Sequence, residues 1–113
     1  MRVSQIAAAG LALAILCGGA RLAQAGCFEL VGCPDRDPFT EFDLSLIACD
    51  RLNFIRNSIF AEKGYCFDHP RYRRMFGRYE CVYETAADVP LNATERDNIQ
   101  KIRKMETEKS CPR

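Results

Sequence analysis

The sequence predicts a small, mainly α domain: three helices with irregular connections, stapled by disulfides, behind an N-terminal secretory leader. Three observations predict it. The stretch Leu52–Phe67 opens with apolar residues at helical spacing, stops at a glycine and turns into a Tyr-Cys-Phe cluster. Six of the seven cysteines lie downstream of Ala25. The chain begins with a charged, apolar and small-residue layout that ends in Ala23-Gln24-Ala25.

The leader comes first. Arg2 supplies the positive start, Ile6–Leu16 is the apolar run, and the A-x-A end predicts cleavage after Ala25. A membrane-spanning helix needs roughly 20 apolar residues, and this run is too short. Residues 1–25 are therefore read as a signal peptide, 26–43 as an irregular N-terminal segment and 44–113 as the helical domain, with no transmembrane segment in the mature chain. Cleavage removes Arg2 and Arg21, so the 16 Lys and Arg fall to 14 against 15 Asp and Glu. A near-neutral chain lacks the basic excess of a general nucleic-acid binder, and no nucleic acid is expected as partner.

Removing the leader also removes Cys17. An even set remains in a short exported chain: Cys27, Cys33, Cys49, Cys66, Cys81 and Cys111. That is the signature of a disulfide framework, and a domain this small is marginal without one. Zinc is disfavoured because the closest cysteines are Cys27 and Cys33 and the only histidine is His69; no cofactor is expected. Several pairings fit an even set. Cys66–Cys81 would close a loop around the second helix, Cys49–Cys111 would tie the first helix to the end of the third, and Cys27–Cys33 would form a small ring. A competing reading anchors a lipoprotein through Cys27, since Ala25-Gly26-Cys27 ends like a lipobox. Gln24 stands where that motif wants an aliphatic residue, and acylation would leave an odd number of thiols.

The helices follow in order. Gly32, Pro34 and Pro38 break any pattern before Asp43, leaving Phe28, Phe39 and Phe42 as isolated apolar anchors. From Leu44 to Gly64 the period is helical, with Ala48, Leu52, Ile55 and Ile59 on one face and Cys49 and Phe60 at its edge. Asp43 or Ser45 can cap the start, and Gly64 is the residue that turns the chain out. Asp68-His69-Pro70 begins a second helix over Arg71–Phe76, capped by Asp68 or His69, with Tyr72, Met75 and Phe76 inward. Cys81-Val82-Tyr83 reads as a brief extended piece. Asn92-Ala93-Thr94-Glu95 makes a capping box for a third helix reaching Glu108, with Ile99, Ile102 and Met105 as its inner stripe.

Few residues carry chemistry. His69 has no nucleophile to partner and reads as a cap. Glu62, Asp50, Glu80 and Glu84 are too scattered to read as the carboxylate pair of a glycosidase. No catalytic constellation is visible, so an enzyme is not expected. Arg71, Arg73, Arg74 and Arg78, interleaved with Tyr72 and Tyr79, form either an anion-binding patch or a solvated face balanced by Asp68, Glu80 and Glu84. Arg56 and Asn57 sit beside the apolar stripe, where they read as hydrogen-bonding the irregular loops.

Arg56-Asn57, then Ile59-Phe60-Ala61-Glu62-Lys63-Gly64-Tyr65 and Phe67, resemble the core of the YARHG domain. Leu91, Asn92, Glu95, Asn98 and Ile99 resemble its second signature, so the resemblance runs roughly from Leu44 to Met105. Ala61 and Gly64 match the name-giving pentapeptide and Phe60 stands in for its tyrosine, whereas Glu62 and Lys63 replace its arginine and histidine. The resemblance implies a small extracytoplasmic bacterial domain, of a kind found with exported peptidases and lipoproteins, and it implies no reaction. The cysteine-bearing form looks like a subgroup from alpha-proteobacteria. The expected role is a non-catalytic interaction module at the cell envelope, exported to the periplasm or secreted, with a protein or an envelope polymer as partner. The alternatives are a component of a cell-wall hydrolase or peptidase system and a secreted inhibitor or effector.

Overall fold

The structure, a computed structural model, describes residues 26–113; the expected signal peptide, residues 1–25, lies outside them. Four α-helices follow one another: α1 Glu41–Ser45, α2 Cys49–Glu62, α3 Pro70–Met75 and α4 Ala93–Glu108, with a 3-10 turn at Ala86–Asp88. Among the described residues there are no β-strands, only isolated bridges between Phe28 and Gly32 and between Tyr65 and Tyr83.

Helix α4 is the spine. Helix α2 runs antiparallel to it, as three cross-links show: Cys49 is bonded to Cys111, Arg56 pairs with Glu106, and Lys63 pairs with Glu95. Between them lie Leu52, Ile55, Ile59, Ile99, Ile102 and Met105, all buried. Helix α1 lies alongside α4 in the same direction. Lys101 donates to the carbonyl of Phe39 at 2.9 Å, Lys104 to Glu41 at 3.1 Å, and Lys109 to the carbonyls of Ser45 and Ile47.

The continuous helix expected from Leu44 to Gly64 is in fact two helices. Thr40 caps the first, its Oγ1 accepting the N–H of Asp43 at 3.1 Å, so neither Asp43 nor Ser45 is the cap. The chain breaks at Leu46–Ala48, which turns both Leu44 and Ile47 into the core. A break of this kind frees helix-end carbonyls that need donors, and the ammonium of Lys109 supplies them. Ala48 then begins α2 with extended backbone and an exposed side chain, off the predicted face. Two further expectations fail on the same ground of direction: Phe42 on α1 is 72% exposed and Met75 on α3 is 40% exposed, while Phe39 is buried as expected.

Helix α2 ends as its sequence requires. The N–H of Tyr65 reaches the carbonyl of Phe60 at 3.1 Å and that of Gly64 reaches Ala61 at 3.0 Å, with Gly64 at φ +96°. This is a Schellman motif, and the Phe60 and Tyr65 rings supply its apolar contact at 5.8 Å. Helix α4 ends the same way, Cys111 donating to Glu106 at 2.8 Å, but with Ser110 in the left-handed position at φ 54°.

The residues ahead of α1 are knitted to α4 by one side chain. Asn98, fully buried, accepts the N–H of Phe39 at 2.8 Å and donates to the carbonyls of Pro34 at 3.0 Å and Asp37 at 2.9 Å. Asn92 adds a bond to the carbonyl of Asp35 at 3.0 Å. An irregular segment buries backbone groups that must find partners, and α4 provides them.

Candidate functional site

An exposed charged surface is built on the loop Cys66–Tyr83, which carries α3. Two devices hold it. The Cys66–Cys81 disulfide closes its base, and backbone bonds from Cys66 to Tyr83 and from Val82 and Tyr83 to Gly64, each 2.8 Å, fix its ends. Beneath α3 runs a chain of rings. Tyr65 meets Phe67 edge-on at 4.8 Å, Phe67 stacks on Phe76 at 5.2 Å, and Phe76 stacks on Phe54 of α2 at 5.7 Å. Such pairs add to area burial because ring edges and faces attract. Tyr72 completes the seat, its hydroxyl donating to Asn53 at 3.1 Å.

His69 caps α3, its Nδ1 accepting the N–H of Arg71 at 3.1 Å, and Pro70 holds the first helical position. The helix therefore starts where the Asp-His-Pro sequence dictates. Its outer side presents Arg71, Arg73 and Arg74, and Arg78 follows in the turn; all four are exposed. The Arg71 guanidinium lies 5.7 Å from the Tyr72 ring centre and that of Arg78 5.2 Å from Tyr79. Among the described residues none of the four is within ion-pair distance of a carboxylate. None of the acidic neighbours Asp68, Glu80 and Glu84 forms an ion pair with them.

Arg51 was not singled out by its sequence. Its guanidinium lies over Phe54 at 5.2 Å and over Phe28 at 5.7 Å, at the end of the same ring chain. The signal was Arg51 one turn ahead of Phe54, a spacing that puts both on one face of a helix.

The remaining motif residues hold the fold. Arg56 grips Glu106 with two bonds, 2.8 and 3.1 Å, and Asn57 donates to the carbonyl of Asn53 within its own helix; contrary to the expectation that they bond the irregular loops, both hold helices. Asn92 and Glu95 form the reciprocal capping box at 2.8 Å each way, with Leu91 packed against the core beside them. Ala61 and Ile99 are buried, and Asn98 is the clip described above.

Of the scattered carboxylates, Glu62 has Glu95 and Asp35 as its acidic neighbours, rather than Asp50, Glu80 or Glu84. Glu62 is an exposed residue whose carboxyl is partly desolvated, which pushes it above the usual range; Glu95 and Asp35 push it further, and Lys63 and Arg78 oppose them. Glu95 is 3% exposed and both its oxygens are engaged, Oε1 with the Asn92 N–H and Oε2 with Lys63 at 3.4 Å.

Cys27 is bonded to Cys33, Cys49 to Cys111 and Cys66 to Cys81. Disulfides persist in oxidising compartments, and this framework fits a small extracytoplasmic domain. Among the described residues no helix is long and apolar enough to cross a membrane. No curated protein and no solved structure matches the chain. The profile of the YARHG domain matches residues 34–107, reaching back to the segment that Asn98 clips to α4. With most of its length inside that match, the chain belongs to the YARHG domain family.

Proposed function

We propose that this domain is a non-catalytic binding module that works outside the cytoplasm, in the periplasm or beyond, and attaches to anionic polymer of the bacterial cell envelope. The observation that carries this reading is the set of four exposed arginines without carboxylate partners, Arg71, Arg73, Arg74 and Arg78. A guanidinium is a planar fork that grips phosphate or carboxylate through paired hydrogen bonds. Two of the four rest against tyrosine rings, and the loop that carries them is tied at its base. The arrangement is preordered for binding. A non-catalytic role is supported by the commitments of the other candidates: His69 caps a helix, Glu95 holds Asn92 and Lys63, and the six cysteines are bonded in pairs. Attachment through a lipid on Cys27 is disfavoured because its sulfur is bonded to Cys33.

Sedimentation of the exported protein with purified sacculi and with lipopolysaccharide tests the reading. Retention is expected to fall as salt rises, because the screening length shrinks from about 10 Å at 0.1 M to about 3 Å at 1 M. Replacing Arg71, Arg73 and Arg74 together by alanine is expected to lower it further. Retention indifferent to both changes overturns the proposal.

A further inference from the structure

A cavity of about 300 Å³ opens where the described chain begins. Gly26 and Cys27 form one wall, Asp35 and Arg36 another, and Glu62, Lys63 and Glu95 the floor. Lys63 and Glu95 are paired with each other. Glu62 has no hydrogen-bond or ion-pair partner among the described residues.

What lies against that carboxylate is the backbone of Gly26. A Cβ placed on Gly26 would stand 2.5 Å from Glu62 Oε1 and 2.9 Å from Oε2. A Cβ is about 2.5 Å from its own backbone nitrogen, so the Gly26 nitrogen lies within about 5 Å of Oε1. Gly26 also has φ +90°, a conformation that side-chain-bearing residues rarely adopt.

The same nitrogen is the one the leader reading releases. Hydrolysis of the Ala25–Gly26 amide by a leader peptidase consumes one water. It leaves a carboxylate on Ala25 and an amine on Gly26, which takes up a proton at neutral pH. An amide nitrogen thus becomes a cation beside an unpartnered carboxylate.

We infer that this cavity is the docking site of the chain's own processed N-terminus, in which the α-ammonium of Gly26 pairs with Glu62 and closes the fold after leader removal. The charges facing the site are Glu62, Glu95 and Asp35 against Lys63, Arg36 and Arg78. Glu95 is held by Lys63 and Asn92, and Arg36 by Asp35 at 3.4 Å. Glu62 is the carboxylate left for the ammonium. The acidic neighbours outweigh the basic ones at Glu62 and, with burial, raise its carboxyl, so a cation arriving there is favoured.

The test uses the full chain, exported and processed by its host. Intact mass establishes the first residue, and NMR titration of the Gly26 α-protons gives the α-amino pKa. Docking predicts a chain starting at Gly26 whose α-amino group titrates roughly one unit above the ordinary range of about 7.7–8.0, a tenfold preference for the ammonium. In Glu62→Gln the value returns to the ordinary range. A wild-type α-amino group that titrates in the ordinary range overturns the inference, even where the variant fails to fold. A mature chain that starts anywhere but Gly26 overturns it too.

Discussion

The side-chain oxygen of Asn98 accepts the backbone N–H of Phe39 at 2.8 Å, across 59 residues of sequence, in the driest part of the molecule. Its amide nitrogen holds two more backbone carbonyls of the same segment. One side chain thus supplies the partners that an irregular segment lacks.

Asn98→Ala should therefore cost about 3 kcal/mol, because it strands one donor and two acceptors in the interior. Asn98→Asp should be at least as harmful, since it keeps an acceptor for Phe39 but loses both donated bonds and buries a charge. Urea unfolding of the oxidised protein measures both. A loss below about 0.5 kcal/mol for Asn98→Ala would show that the segment is held by other means.

The three disulfides should differ in worth by the loops they close. Loop-closure entropy grows with the logarithm of loop length, and the separations are 62, 15 and 6 residues. Paired serine substitutions at Cys49 and Cys111, Cys66 and Cys81, and Cys27 and Cys33 should cost about 4, 3 and 2 kcal/mol respectively. Thermal unfolding gives the order, and peptide mapping without reduction checks the pairs themselves.

Ser110 occupies a left-handed position that glycine fills in the matching motif at Gly64. Ser110→Gly should raise stability by up to about 1 kcal/mol, relief of the left-handed strain exceeding the entropy that glycine adds to the unfolded chain. Gly64→Ala should do the reverse and more, since its Cβ would press on Val82 and Tyr83 at 3.3 Å. Denaturant midpoints for the two variants should move in opposite directions.

Arg73→Ala and Arg74→Ala should leave stability within about 0.5 kcal/mol, as exposed substitutions without partners do, while reducing retention on anionic polymer. Arg56→Ala should behave oppositely. It leaves the mostly buried Glu106 carboxylate without its bidentate partner, at a cost of about 1–3 kcal/mol, with retention per folded molecule unchanged.

Stability against pH should report on Glu62 while an amide still precedes Gly26. Its carboxyl is raised by burial, then by Glu95 and Asp35, so the folded chain holds that proton more tightly than the unfolded one. The resulting stability is fully present below the ordinary glutamate range and is lost as pH rises through the raised value. In a chain fused to residues ahead of Gly26, Glu62→Gln should therefore gain on wild type between pH 3 and pH 7. Thermal scans at the two pH values measure this gain. No gain would mean that the carboxyl is not strained in the unprocessed chain.

Local chemistry was legible in the sequence. The Asn92–Glu95 box, the His69-Pro70 start and the Gly64 stop depend on bonds spanning a few residues, and each stands where its residues place it. The inner stripe of α4 was readable because helical period alone decides which side chains share a face. The break between α1 and α2 was not readable, because the apolar pattern runs through it. What stabilises that break is Lys109, which reaches the freed carbonyls from the far end of the chain. The same holds for the pairing of Arg56 with Glu106, for the clip made by Asn98, for the lack of ion pairs at the four arginines among the described residues, and for the meeting of Gly26 with Glu62. Helices that local bonds can start and stop, and a cysteine count suited to oxidation, are written in the residue order. Which distant groups meet is a matter of packing, because a charge or an amide takes its partner from what the fold brings within about 3 Å, and spacing along the chain does not encode that.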